Sequence, residues 1–169
     1  MVAKEKKSSR RQFLIKEKAA FSADVGQGTP PEVNGSNRNV LIVDDNPVVL
    51  KAFETKLKAN GFNVTTTTET TTVARLAEQS RAELIILDIN FPPSGGMEWN
   101  GFTVMQWLRR FPELGQIPVI LITGAEVAQH QENARAAGAV ALLQKPIAFK
   151  DLLAVMAEAL GKRAADPAA

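Results

Sequence analysis

Four short aliphatic runs punctuate the chain: Val40-Leu41-Ile42-Val43, Leu84-Ile85-Ile86-Leu87, Val119-Ile120-Leu121-Ile122 and Val140-Ala141-Leu142-Leu143. A continuous apolar run of this length predicts a strand buried on both faces of a parallel sheet. A fifth segment, residues 62–66, is short and Thr-rich, which suits an edge strand. Between the strands the pattern changes to a helical period. Asn46-Pro47 is a helix start, Val49, Phe53 and Leu57 share one helical face, and Asn60-Gly61 ends that helix. Further helices are predicted over 73–79, 102–111, 126–136 and 149–160. The helix over 126–136 is poor in apolar residues and should be loosely held. Strands alternating with helices predict an α/β fold, a doubly wound five-stranded parallel sheet with five helices. Counting strands from 39–43, the expected order is 2-1-3-4-5, with a crevice where strands 1 and 3 diverge.

The ends of the chain lack this pattern. Residues 1–37 hold seven Lys/Arg against four Asp/Glu, few apolar residues and linker-like stretches at 26–31 and 34–37. They read as a basic, disordered N-terminal extension, with at most a short helix over 11–21 anchored by Phe13, Leu14 and Phe21. Residues 38–162 form the folded domain, and 163–169 a frayed C-terminal tail. Ser9-Arg10-Arg11-Gln12-Phe13-Leu14 has the shape of a twin-arginine export signal. Lys16-Glu17-Lys18 stands where such a signal needs an apolar stretch, so export is rejected. A basic tail that contacts a partner is the alternative use.

Composition narrows the options. There is no Cys, which excludes disulfides, thiolate metal sites and cysteine catalysis, and suits a reducing cytoplasm. No apolar run approaches the roughly 20 residues that span a bilayer. A net charge of +2 is too small to argue for direct nucleic-acid binding. A cytoplasmic protein with no membrane segment is expected.

The chemistry lies at the strand ends. Asp44 and Asp45 follow the first run, Asp88 the second, Thr123 the third, and Lys145-Pro146 stands just beyond the fourth. The expected topology brings them to one crevice. Three carboxylates there repel, so one takes up a proton unless a cation is present, and Mg2+ suits such oxygen ligands. A carboxylate nucleophile, a Mg2+ site, a hydroxyl and a fixed cation make a phosphoryl-transfer kit. Singly, an Asp after a strand caps the next helix and a Lys before Pro is a loop residue. Together, each at the correct strand end, they argue for function. The single histidine, His130, is expected to be solvated, and the Thr-rich tract 65–72 to be edge strand plus helix cap.

Through these residues, positions 39–160 resemble a response-regulator receiver domain of two-component signalling, with a flavodoxin-like fold. The likeness rests on Asp44-Asp45, Asp88 with Pro92 four residues on, Gly101-Phe102, Thr123, Ala137-Gly138-Ala139 and Lys145-Pro146. It implies that Asp88 is the phosphoacceptor, becoming an aspartyl phosphate. The donor would be the phosphohistidine of a sensor histidine kinase or histidine phosphotransfer protein in a phosphorelay. It implies Mg2+ held by Asp45, Asp88 and the backbone carbonyl of Asn90, with Asp44 acting partly through water. Thr123 and Lys145 would contact the phosphoryl oxygens, and the Lys145–Pro146 bond would be cis. Thr123 would then swing inward and bias the face made by the fourth helix, fifth strand and fifth helix. Such a protein is no enzyme. It passes its signal through protein contacts to a downstream target that the sequence does not name.

Three departures qualify the likeness. The switch position three residues before Lys145 is usually aromatic and here is Leu142. The loop after Asp88, residues 92–100 with Trp99, is longer than usual. No output domain follows within the 169 residues, which favours a stand-alone receiver. A second reading therefore stands beside the first: a phosphorylation-independent, receiver-like interaction module working through that loop or the basic tail. The family's phosphorylation-dependent homodimer is left open by Leu142. A phosphohydrolase is disfavoured, because Asn90 stands where a dedicated aspartyl phosphatase has its acid.

Overall fold

The computed structural model describes residues 14–16, 37–92 and 100–164. Its elements in chain order are β1 (Leu14–Lys16), β2 (Asn39–Val43), α1 (Pro47–Ala59), β3 (Asn63–Thr67), α2 (Val73–Gln79) and β4 (Leu84–Asp88). There follow α3 (Gly101–Leu108), β5 (Val119–Thr123), α4 (Val127–Ala136), β6 (Ala141–Gln144) and α5 (Phe149–Ala164). All strand pairs are parallel, in the order β1-β6-β5-β4-β2-β3. The five core strands thus take the expected order.

Alternation along the strands divides the interior into two layers. Leu41, Val43, Ile85, Leu87, Val119, Leu121 and Leu142 point to one face and pack on α2, α3 and α4. Val40, Ile42, Leu84, Ile86, Ile120, Ile122 and Leu143 point to the other and pack on α1 and α5. The aliphatic runs carry no polar alternation because each strand has helices on both sides. β3 is the exception: its Thr side chains are half-buried at an open edge.

Local signals set most helix ends. The Asn46 side chain accepts from the Val48 and Val49 N–H groups at 2.9 and 3.4 Å, and Pro47 opens α1. Gly61 and Gly138 hold positive φ angles of 82° and 80° after α1 and α4, where a side chain would be strained. α3 stops at Leu108 rather than at 111. The chain there turns away, and the Arg109 guanidinium donates to the carbonyls of Gly115, Ile117 and Gly138. α5 runs on to Ala164, two residues into the segment read as tail.

The N-terminal region corrects the sequence reading. Within the extension read as disordered, with at most a short helix over 11–21, Leu14–Lys16 form a strand beside β6, with Ile15 opposite Leu142. This strand adds a sixth to the five expected, whose order it leaves unchanged. The other readings for the extension, the twin-arginine-like residues up to Phe13, and Trp99 fall outside the described residues.

Candidate functional site

Strand register assembles the site. Val43 pairs with Leu87, so Asp44, one residue past β2, lies level with Asp88 at the end of β4. Asp88 pairs with Ile122, and Thr123 with Gln144, so Lys145 leaves β6 at the same edge. All the expected side chains meet there. Asp44, Asp88 and Thr123 are buried, Lys145 is half-buried and Asp45 is exposed.

One local device orients three of these side chains. Asn46 N–H donates to Asp44 Oδ1 at 2.9 Å, Asn90 N–H to Asp88 Oδ1 at 2.9 Å, and Ala125 N–H to Thr123 Oγ1 at 3.0 Å. In each case a side-chain oxygen accepts from the amide two residues on, the Asx and Ser/Thr turn pattern. This fixes one oxygen of each aspartate and leaves the other facing Lys145. The Lys145 ammonium donates to Asp44 Oδ2 at 2.8 Å and also to Asp88 Oδ2. The turns were not read from the sequence, although their signal is present twice as Asp-x-Asn, at Asp44-Asp45-Asn46 and Asp88-Ile89-Asn90. The Lys145–Pro146 bond is cis, as expected.

The backbone beneath Asp88 is tightly packed. Gly101 N–H donates to the Ile89 carbonyl at 3.0 Å. A Cβ on Gly101 would lie 2.6 Å from the Asp88 carbonyl oxygen and 2.9 Å from Ile89 Cα. Only glycine lets α3 begin this close to the strand end that carries Asp88.

Electrostatics leave the cluster short of positive charge. Burial raises the Asp88 pKa above the ordinary carboxylate value, outweighing the Lys145 hydrogen bond and the Asn90 amide that pull it down. For Lys145, burial pulls the pKa down, but the hydrogen bonds to Asp44 and Asp88 outweigh it and the net shift is upward. Lys145 therefore stays charged, one cation among three carboxylates. Carboxylate oxygens of Asp44, Asp45 and Asp88 lie within 4.8 Å of one another. An all-oxygen donor set of that size, with its central carboxylate under-compensated, fits a hard divalent cation such as Mg2+.

Leu142 is fully buried in the layer beneath α4, so its position presents no side chain to solvent. His130 corrects the expectation of a solvated residue. It is half-buried, its ring centroid 5.9 Å from that of Phe102, and it lines a cleft with Asn90 and Asn100. The cause is the side of α4 it occupies, which faces α3 rather than bulk water.

Comparison with known proteins agrees with the fold. The family profile described as "Response regulator receiver domain" matches residues 40–157. The chain belongs to that family, whose members act in two-component signalling. Among curated relatives it is 32% identical to the polar-differentiation response regulator DivK of Brucella anthropi, over 73% of this chain and 97% of the relative. Among solved structures it is similar to the receiver domain of sensor histidine kinase PA1611 of Pseudomonas aeruginosa, which has magnesium coordinated in its active-site cleft. There the identity is 26% and the TM-score 0.65, over 74% of this chain and 98% of that one. Chemotaxis protein CheY4 of Vibrio cholerae shares the fold at TM-score 0.66 and 24% identity, over 73% of this chain and 98% of that one.

Proposed function

We propose that this receiver accepts a phosphoryl group on Asp88 from a sensor histidine kinase or histidine phosphotransfer protein, in a Mg2+-dependent reaction in the cytoplasm, and signals through protein contacts. The convergence of Asp88 with Lys145, Asp44 and Asp45 at one strand edge carries this reading.

An Asp88 carboxylate oxygen attacks the phosphorus of a phosphohistidine. An O–P bond forms, the N–P bond breaks, and the imidazole leaves and takes up a proton. Asp45, Asp88 and the Asn90 backbone carbonyl would hold Mg2+, with Asp44 reached through water. When bound, the ion neutralises charge on the transferring oxygens. Lys145 exchanges its carboxylate partner on Asp88 for a phosphoryl oxygen. The Thr123 hydroxyl, which accepts from Ala125 N–H, still carries a proton to donate to another. An inward swing of Thr123 onto the phosphoryl group would carry the signal to the face formed by α4, β6 and α5. The protein is the recipient of the phosphoryl group and not an enzyme that turns over a substrate. Among the described residues no helix is long and apolar enough to cross a membrane.

The test is intact mass after incubation with acetyl phosphate and Mg2+. One phosphoryl adduct, absent from Asp88→Asn and absent with chelator, is the expected result. A folded protein that takes no phosphoryl group from acetyl phosphate or a kinase would favour a phosphorylation-independent interaction module.

A further inference from the structure

The two ends of the core sheet are built differently. β3, at one end, is Asn63-Val64-Thr65-Thr66-Thr67, a polar and half-exposed strand that tolerates an open edge. β6, at the other end, begins Ala141-Leu142-Leu143, aliphatic and buried like an interior strand. An aliphatic strand with unpaired backbone groups along one side is a template for strand addition by another chain. In this protein the place is taken by Leu14–Lys16, in parallel register with Ala141–Leu143.

We propose that the outer edge of β6 is a strand-acceptor surface closed in cis by the chain's own Leu14–Lys16. The N-terminal extension is then a tethered competitor of any protein that would add a strand at the α4–β6–α5 face.

Three observations support it. First, the pairing spans only three residues, so it yields few ladder bonds against the entropy of ordering the extension. Such a contact is close to balance and open to displacement by a longer strand. Second, Lys16 and Asn39 are joined by a chain long enough to cross the four strand spacings from β1 to β2, roughly 19 Å. The tether holds the segment at a high effective concentration, which lets a weak strand stay docked. Third, Ile15 stands opposite Leu142, and β6 leads directly into Lys145, the residue bridging Asp44 and Asp88. The covered edge therefore belongs to the strand that carries the site's cation.

The experiment is amide hydrogen exchange on the full chain. Two variants, Ile15→Pro and the pair Leu14→Pro with Lys16→Pro, remove β1 donors of either parity. In at least one of them, alternate amides among Leu142, Leu143 and Gln144 should lose protection, while those of β5 keep theirs. A synthetic peptide of residues 10–20, added at millimolar concentration, should restore the lost protection, and the same peptide with proline at the Ile15 position should not. Unchanged β6 protection in both variants would overturn the proposal. So would a failure of the unmodified peptide to restore it, since the edge would then accept no strand in trans. Neither result bears on phosphorylation of Asp88, which the intact-mass measurement reads separately.

Discussion

Replacing Gly101 by alanine sets helix propensity against packing. Gly101 opens α3, and in an open helix Gly→Ala stabilises by about 0.5–1 kcal/mol. Here the new methyl would meet the Asp88 carbonyl oxygen at 2.6 Å and Ile89 Cα at 2.9 Å, both backbone atoms that cannot rotate away. Overpacking of this kind costs about 1–3 kcal/mol. The net expectation for Gly101→Ala is destabilisation by about 1–2 kcal/mol. With a urea slope of about 2 kcal/mol/M, the unfolding midpoint should fall by about 0.5–1 M. Gly161→Ala is the control. It lies exposed in α5, where an added methyl would meet nothing within 4 Å, so the same exchange should gain about 0.5–1 kcal/mol. Urea denaturation followed by circular dichroism reads both. A Gly101→Ala protein as stable as the parent would refute the claim that α3 is seated against the strand end bearing Asp88. Because the clash falls on the Asp88 backbone, this variant should also take up phosphoryl from acetyl phosphate more slowly.

Other perturbations test other parts of the account. Burial raises the Asp88 pKa in the folded state, so its ionised form destabilises the fold above that pKa, and the penalty vanishes below the unfolded value. Asp88→Asn should therefore be more stable than the parent at pH 7 without Mg2+, with the gap closing as the pH falls through the acid range; equal stability at neutral pH would contradict the electrostatic reading. Mg2+ at a hundred times its dissociation constant should stabilise the parent by about 2.7 kcal/mol and Asp88→Asn by less, read by thermal unfolding. Arg109→Met removes donors to the carbonyls of Gly115, Ile117 and Gly138, and should cost about 2 kcal/mol in chemical denaturation. Leu142→Tyr, which installs the family's usual aromatic, must enter a fully buried site and should lose about 1–3 kcal/mol. A tolerated tyrosine would mean the position opens to solvent more readily than its burial indicates.

Much of this was legible in the sequence because short-range signals and tertiary structure agree. The runs at 40–43, 84–87 and 119–122 are aliphatic because helices cover both faces, and that leaves few alternatives to a parallel sheet. Asn46-Pro47 marks a helix start through backbone chemistry that needs no partner. Asp44, Asp88, Thr123 and Lys145 were legible as a set, since each follows or ends a buried strand and the topology does the rest. β1 was not legible. Leu14-Ile15-Lys16 lies among charged residues and has no strand pattern of its own; its conformation comes from the free side of β6, more than a hundred residues away. The end of α3 was misplaced because Pro112 looked like the residue that closes the helix, which carried it to 111. The chain instead turns after Leu108, where Arg109 finds three carbonyls, and Phe111 stands partly exposed against Trp107. His130 was misjudged because helix periodicity alone does not say which side of α4 meets α3.

The central claim is that Asp88, and no other side chain, receives the phosphoryl group. The most direct measurement treats the phosphorylated protein with borohydride, which reduces an aspartyl phosphate to homoserine, and then maps the converted residue by peptide mass spectrometry. Homoserine at position 88, dependent on Mg2+ during phosphorylation, is the result this account predicts. Conversion at Asp44, Asp45 or any other carboxylate, with Asp88 intact, would contradict it.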